Sequence, residues 1–196
     1  VRQVKRLSGL VEELLDVSRI ARGRLTLEPE EIDLAALVEE VASRFRDLAA
    51  QARSKLVVRS QGRVSGFWDR LRLEQVVTNL LANALKFGAG EPIEISTDGG
   101  RPDRARIVVK DHGIGIAPDD LNRIFGRFER AVSTRSYGGL GLGLYIVQQI
   151  VARHGGTVSA QSQAGKGTVF TVDLPPEVHA ERELPASSVT LDIGSE

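Results

Sequence analysis

Two glycine-rich segments mark places in this sequence where the backbone must approach another group closely. The first runs from Asp111 to Ile116 and the second from Gly138 to Leu144. Glycine tolerates positive φ and leaves room for a ligand against the main chain. The second segment opens into an apolar, helix-like stretch over 145–151, and a helix N-terminus presents backbone N–H groups to phosphate. We therefore predict one ligand that is held from two sides.

A polar stripe precedes these segments on a helix predicted over 69–87. Asn79 and Asn83 are four residues apart and Lys86 follows three later, so their side chains share one helix face. An unpaired buried amide costs on the order of 1 to 3 kcal/mol. A carboxamide oxygen suits Mg²⁺ accompanied by phosphates, and lysine supplies charge for phosphate oxygens. Capping or interhelix hydrogen bonds would explain the stripe alone, but beside the glycine segments it favours phosphate binding.

Asp111 lies where an apolar strand pattern meets the first glycine turn. Two interpretations of this carboxylate are open. It could form an Asx turn with the backbone that follows. It could instead accept a hydrogen bond from the exocyclic amine of adenine and reject guanine, which offers a carbonyl at that position.

Composition excludes several other kinds of site. The 196 residues include 26 basic and 26 acidic ones, so no overall charge favours nucleic acid or an anionic membrane. Without cysteine there are no disulfides, thiolate zinc sites or thiol nucleophiles. No apolar run approaches the ~20 residues that span a bilayer, so we expect no membrane contact and a cytoplasmic location. The absence of Met, even at position 1, predicts an internal fragment, with upstream segments that could carry a membrane anchor.

Helical and strand patterns alternate between residues 29 and 176. Helices are predicted over 33–52, 69–87, 119–125 and 142–154, and strands over 55–59, 92–97, 104–110, 157–161 and 168–174. The Asp-Gly-Gly run at 98–100 predicts a hairpin turn. Hairpins mixed with helices indicate an α+β fold, a two-layer sandwich with a largely antiparallel sheet and helices on one face. The polar stretch 129–137 is expected to be mobile, and the tail 177–196 to be disordered.

Residues 1–28 are predicted to form a separate region. Small or apolar residues recur at spacings of three and four from Val4 to Ala21, beside charged ones, which is a heptad pattern. A helix of a coiled coil or bundle and a single amphipathic helix lying on its own domain both fit this pattern. Its terminal position, followed by Gly23 and Pro29, favours the bundle.

Five short motifs follow one another in a specific order and spacing. They are an N box at Asn79–Phe87, a G1 box at Asp111–Ile116, an F box at Phe125–Arg130, a G2 box at Gly139–Leu144 and a last glycine motif at Gly165–Phe170. Together they resemble the catalytic ATP-binding domain of bacterial sensor histidine kinases. That domain belongs to the Bergerat-fold, or GHKL, superfamily shared with gyrase, Hsp90-type chaperones and MutL-type repair proteins. The resemblance covers about residues 33 to 175 and implies the same fold, a mixed, mostly antiparallel sheet with helices on one face.

The resemblance implies Mg·ATP as the ligand and a role for each matching residue. Asn83 would bind Mg²⁺ with Asn79 beside the phosphates, while Lys86 would contact a phosphate and Asp111 the adenine amine. The turn beneath the base would contain two glycines. These glycines and the remaining implied nucleotide contacts are Gly113, Gly115, Phe87, Ile116, Gly139, Leu140, Gly141, Leu142, Gly143, Leu144 and Thr168.

A lid over 129–137 would close on the nucleotide, as the resemblance implies. Arg130 and Arg135 in this lid are candidates for stabilising charge on the γ-phosphoryl group, and solvated lid charges are the alternative interpretation. With Asn79 and Lys86 they make up the expected catalytic set.

Asn79 also discriminates between branches of the superfamily. In ATP-hydrolysing relatives this position is a glutamate that activates water, and an amide cannot act as a general base. Glu74 lies five residues earlier and should point off the stripe. The resemblance therefore implies phosphoryl transfer to a side chain.

The sequence contains three histidines, and none lies in a segment that resembles the acceptor helix of these kinases. His112 lies in the G1 box, His179 in the tail, and His154, like Thr168, matches a position that looks structural. We expect an ATP-binding portion that forms a homodimer through its N-terminal helix, the second of a hairpin, and serves a response-regulator receiver domain. The phosphorylated histidine would lie outside this sequence. A Bergerat-fold ATPase and a non-catalytic dimerisation or nucleotide-sensing module are the alternatives.

Overall fold

The computed structural model describes residues 14, 15, 17, 18, 20, 22, 25–88, 90–101, 104–129 and 140–177. In chain order its elements are β1 (Glu30–Asp33), α1 (Leu34–Gln51), β2 (Leu56–Ser60), β3 (Ser65–Trp68), α2 (Arg70–Phe87), β4 (Ile93–Arg101), β5 (Arg104–Asp111), α3 (Pro118–Leu121), α4 (Gly143–Arg153), β6 (Thr157–Gln163) and β7 (Gly167–Leu174).

Within these residues, five strands form the main sheet in the order β2-β4-β5-β7-β6. β2 runs parallel to β4, and every other neighbouring pair is antiparallel. Alternation along β5 buries Ala105, Ile107 and Val109 on one face and leaves Arg106 and Lys110 half-buried on the other. The buried face shares one core with the apolar faces of α1, α2 and α4. The predicted α+β sandwich with a mostly antiparallel sheet is confirmed.

Aspartate begins each of the two long helices. Oδ1 of Asp33 accepts a hydrogen bond from Ala35 N, and Oδ1 of Asp69 accepts one from Arg72 N, both at 3.0 Å. Both helices agree with their predicted bounds to within a residue. Burial of one apolar face of α2 decides where its polar side chains point. That face consists of Leu73, Val76, Val77, Leu80, Leu81 and Ala84.

The predicted hairpin between β4 and β5 is present, but the prediction that its turn lies at 98–100 is wrong. β4 continues through the Asp-Gly-Gly run to Arg101, which pairs with Arg104, so the connection lies further along the chain. The register shifts between Asp98 and Arg101, and a Cβ on Gly99 would lie 3.1 Å from the methyl groups of Val64. Gly99 therefore lies at an irregularity of the strand and in close contact with Val64, and not in a turn.

Two short elements also differ from the prediction. α3 ends at Leu121, well before the end of the helix predicted over 119–125, and the chain then turns, with Gly126 N bonded to Arg123 O at 2.7 Å. The antiparallel pair β1–β3 was not predicted. Only Ile32 of β1 is buried. A four-residue strand with one buried side chain shows no alternation of apolar and polar residues from which it could be predicted.

The N-terminal region touches the core where the structure describes it. Leu14, Leu15, Val17 and Ile20 are helical, and the last two pack against the core while the leucines are about half exposed. The rest of the heptad pattern and nearly all of the tail 177–196 lie outside the described residues. No helix in the described ranges is long and apolar enough to cross a bilayer. A bundle role for the N-terminal helix stays a prediction.

Candidate functional site

The polar stripe of α2 connects two ends of a possible ligand site. Asn79, Asn83 and Lys86 are half-buried, and Nδ2 of Asn79 donates to the carbonyl oxygen of Gly143, the first residue of α4, at 3.4 Å. Just past the C-terminal end of α2, a Cβ on Gly88 would lie 3.2 Å from Cβ of Asp111. Helical rise puts these ends roughly 13 Å apart, a length comparable to that of an extended nucleoside triphosphate.

Asp111 directs its two carboxylate oxygens differently. The residue is 5% exposed, and Oδ1 accepts hydrogen bonds from Gly113 N at 2.9 Å and Thr168 N at 3.3 Å. The described residues provide no hydrogen bond to Oδ2. Every fully buried side-chain N or O atom among them has a partner, so Oδ2, which has none, is not fully buried and is accessible. The Asx turn is present, and it leaves the second oxygen for a ligand.

Burial raises the pKa of Asp111, against the lowering effect of the backbone N–H groups of Gly113 and Thr168. A buried carboxylate whose second oxygen has no protein partner is a strong acceptor for a ligand donor. This arrangement suits an amine on a flat base.

The G1 turn is held between α2 and the β6–β7 hairpin. A Cβ on Gly113 would lie 2.1 Å from the carbonyl oxygen of Phe87, and one on Gly115 would lie 2.1 Å from that of Gln163. Gly115 also has φ +66°. Ile116, half-buried, donates its N–H to Oγ of Ser162 at 2.8 Å. Backbone packing within the protein itself therefore requires these two glycines, and this packing holds Asp111 in place.

The G2 segment presents the start of α4. Gly141 has φ +73°, Leu142 is fully buried, and Leu140 and Leu144 pack against the core. No side chain caps the first N–H groups of α4 within the described part. These groups and the helix dipole are suited to bind an anion. A Cβ on Gly143 would meet only Asn79, at 3.6 Å, so the described residues leave room at this glycine.

Comparison with known proteins agrees with this geometry. Residues 68–178 match the sequence profile of the family described as histidine kinase-, DNA gyrase B- and HSP90-like ATPases. The chain belongs to this family. It is 36% identical over 174 residues to the sensor protein SrrB of Staphylococcus aureus, covering 87% of this chain but only 30% of SrrB.

Solved structures of histidine kinases share the fold of this ATPase-family chain. Acinetobacter baumannii histidine kinase AdeS superposes with a TM-score of 0.74 at 30% identity, over 89% of this chain and 81% of AdeS. Full-length ShkA in complex with AMPPNP superposes with a TM-score of 0.79 at 28% identity, over 90% of this chain and 37% of ShkA.

The residues of this ATPase-family site suit a Mg²⁺ ion that binds together with the phosphates of a nucleotide. The described ranges hold no cluster of three or more His, Cys, Asp or Glu side chains that could bind a metal. The amide of Asn83 is half-buried and has no hydrogen-bond partner among the described residues. Mg²⁺ keeps waters and phosphate oxygens as ligands and needs few protein groups. Asn83 fits as its protein ligand.

Lys86 and Phe87 lie side by side at the end of α2. The Lys86 ammonium lies 4.6 Å from the centroid of the Phe87 ring, a distance at which the ring attracts the cation.

Arg130, Arg135 and Gly139 fall outside the described residues, as does nearly all of the lid 129–137. Their expected roles stay predictions.

His154 is the residue expected to be structural, whereas Ser162 is a site residue that the sequence motifs do not predict. His154 is fully buried and bonded to Asp69 N, which agrees with a structural role. Ser162 follows Val158 and Ala160 on the inward row of β6, where both alanine and valine pack against the core. A hydroxyl-bearing residue that continues the inward-facing apolar positions of a strand is the sequence pattern that could have identified Ser162.

Proposed function

We propose that this chain is the ATP-binding catalytic portion of a two-component sensor histidine kinase. It would transfer the γ-phosphoryl group of Mg·ATP to a histidine outside these 196 residues. The observation that carries the proposal is the pair of binding groups at opposite ends of one polar stripe. At one end, Oδ2 of Asp111 receives no hydrogen bond from the described residues. At the other, the N-terminus of α4 lies beside Asn79 and has no side-chain cap within the described part.

In this arrangement each end of the nucleotide meets a matching group. Asp111 accepts the adenine amine and repels the carbonyl of guanine. The first N–H groups of α4 and the Lys86 ammonium bind phosphate oxygens. Asn83 would hold Mg²⁺, which when bound neutralises phosphate charge. Phosphoryl transfer passes through a loose transition state, so orientation and charge stabilisation account for most of the catalysis.

The carboxylate nearest to Asn79 in sequence does not activate water. Glu74 pairs with Arg44 of α1 at 3.0 Å and with Arg70, one turn earlier in α2, at 3.3 Å. The amide of Asn79 cannot act as a general base. This pairing supports transfer to a side chain over steady ATP hydrolysis.

The proposed acceptor and partners lie elsewhere. Within this chain, His154 is buried, and Nε2 of His112 lies 3.5 Å from Oε1 of Glu94 in β4. Homodimerisation through the N-terminal helix would bring an acceptor histidine within reach, and a response-regulator receiver domain would take the phosphoryl group from it. Because the proposed substrate is ATP, a cytoplasmic nucleotide, we propose that this activity is located in the cytoplasm.

Two measurements test the proposal. Isothermal titration should detect Mg·ATP binding, and its absence would favour a non-catalytic module. Incubation with γ-labelled ATP should leave the chain unlabelled and release no phosphate over many turnovers. Labelling of His154 or His179 would overturn the assignment of an external acceptor. Steady hydrolysis that Asn79→Ala abolishes would support an ATPase instead.

A further inference from the structure

The Ser162 hydroxyl uses all of its hydrogen-bonding positions close to the segments that bind the Asp111 carboxylate. Its Oγ donates to the carbonyl oxygen of Gly167 at 2.7 Å, accepts from Ile116 N at 2.8 Å and lies 2.9 Å from Oγ1 of Thr168. A serine hydroxyl has one proton and two acceptor positions. Because the proton points to Gly167, the Thr168 hydroxyl is the donor in the remaining bond. All three positions of the Ser162 hydroxyl are therefore used.

These bonds join the two segments that supply the donors to Asp111. The turn that contains Ile116 also provides Gly113 N, and β7 provides Thr168 N; both N–H groups bind Oδ1. Thr168 lies opposite Asp111 across the β5–β7 pair and opposite Ser162 across the β6–β7 pair. Ser162 and Asp111 thus flank the same residue from opposite sides.

We propose that Ser162 is a positioning residue for base recognition. By tying the G1 turn to Gly167 and Thr168, it keeps both N–H donors on Oδ1 of Asp111 and leaves Oδ2 directed at the base. It makes no contact with the nucleotide in this role. The inference rests on the proposed function, because the base that Asp111 would read is the adenine of ATP.

The test compares ATP with GTP, since only adenine offers the amine that Asp111 accepts. In titrations of the full chain with Mg²⁺, Ser162→Ala should weaken ATP binding about fivefold to tenfold, the value of one lost positioning hydrogen bond. GTP binding should change less than about twofold, since its base does not use this bond. The ATP-to-GTP preference therefore falls. Equal weakening of both nucleotides would overturn the proposal, because a purely structural role predicts that result.

A pair of variants of equal shape separates the hydroxyl from packing. Ser162→Thr keeps the hydroxyl and should keep the ATP-to-GTP preference, whereas Ser162→Val lacks it and should behave like Ser162→Ala. This pair decides the matter if the alanine variant fails to fold. Ser159→Ala, on an exposed position of the same strand, is the control and should bind both nucleotides as the parent does.

A double-mutant cycle tests whether Ser162 acts through Asp111. In an Asp111→Asn background, Ser162→Ala should weaken ATP binding by less than about twofold further, because the oriented carboxylate is already gone. Full multiplication of the two losses would overturn the inference. Failure of the parent chain to bind ATP would instead overturn the proposed function, so the two failures are distinguishable.

Discussion

The backbone N–H of Asp69 donates to Nε2 of His154 at 3.1 Å, and this bond sets the tautomer of the imidazole. Since Nε2 accepts, the ring proton is on Nδ1, which donates to the carbonyl oxygen of Ile150 at 2.8 Å. The carboxylate of Asp69 also accepts Glu28 N at 3.0 Å and caps α2. One neutral imidazole at the end of α4 is therefore bonded to the start of the helix that carries the polar stripe.

This buried imidazole should make stability depend on pH. Burial lowers the pKa of His154, against the raising effects of the Ile150 carbonyl and the Asp69 carboxylate. Below the ordinary histidine value of about 6.5, the unfolded chain binds a proton that the folded chain does not. The free energy of unfolding should thus fall on acidification below pH 6.5, by up to about 1.4 kcal/mol per pH unit. Urea unfolding between pH 7.5 and 5.5 measures this slope.

His154→Gln is the control for the pH prediction. Glutamine has no titratable group, so the part of the slope that belongs to His154 should disappear in this variant. The variant should also be less stable at pH 7.5, by roughly 1 to 3 kcal/mol, because Asp69 N loses a well-placed acceptor. An unchanged slope would show that other groups cause the pH dependence.

Asp111→Asn should separate stability from nucleotide binding. Burial raises the pKa of Asp111, so its ionised form costs stability at neutral pH. Asparagine keeps an oxygen for the N–H groups of Gly113 and Thr168, but it turns an amide donor toward the adenine amine. We expect unchanged or higher stability at pH 7 in urea unfolding and ATP binding weaker by roughly 1 to 3 kcal/mol in calorimetry. Loss of stability together with unchanged ATP binding would contradict this assignment.

Local patterns predicted more of the fold than of the site. Asp33 and the apolar spacing after it were enough to locate α1, because capping and burial act over a few residues. At Asp111 the sequence allowed an Asx turn or a ligand contact. In the structure the turn uses one carboxylate oxygen, and no described residue bonds to the other. That division depends on Thr168, 57 residues away in the chain. Sequence spacing contains no information about such a contact.

Alanine should destabilise the fold at Gly115 of the G1 motif but hardly at Gly143 of the G2 motif. Gly115→Ala puts a Cβ at 2.1 Å from the Gln163 carbonyl oxygen in a residue with φ +66°. It should destabilise the fold by clearly more than 1 kcal/mol. Among the described residues, a Cβ on Gly143 meets only Asn79, at 3.6 Å, so Gly143→Ala should change stability by less than about 0.5 kcal/mol.

Gly143→Ala should nevertheless weaken ATP binding, because the added methyl group occupies space where phosphate approaches the start of α4. Thermal unfolding and calorimetry on both variants check the two halves of this prediction. Strong destabilisation by Gly143→Ala would mean that this glycine, like Gly115, is required by the protein's own packing.

Asn83→Ala should make ATP binding insensitive to Mg²⁺. The Asn83 amide has no hydrogen-bond partner among the described residues, so its removal should change the free energy of unfolding by less than about 0.5 kcal/mol. Calorimetry with Mg²⁺ and with EDTA should show that the parent gains affinity from the ion, while Asn83→Ala binds ATP equally weakly in both. Thr78→Ala, on an exposed position of the same helix, is the matched control and should keep the full Mg²⁺ effect. If Asn83→Ala retained that effect, the ion would be held by phosphates and water alone, and Asn83 would not be its protein ligand.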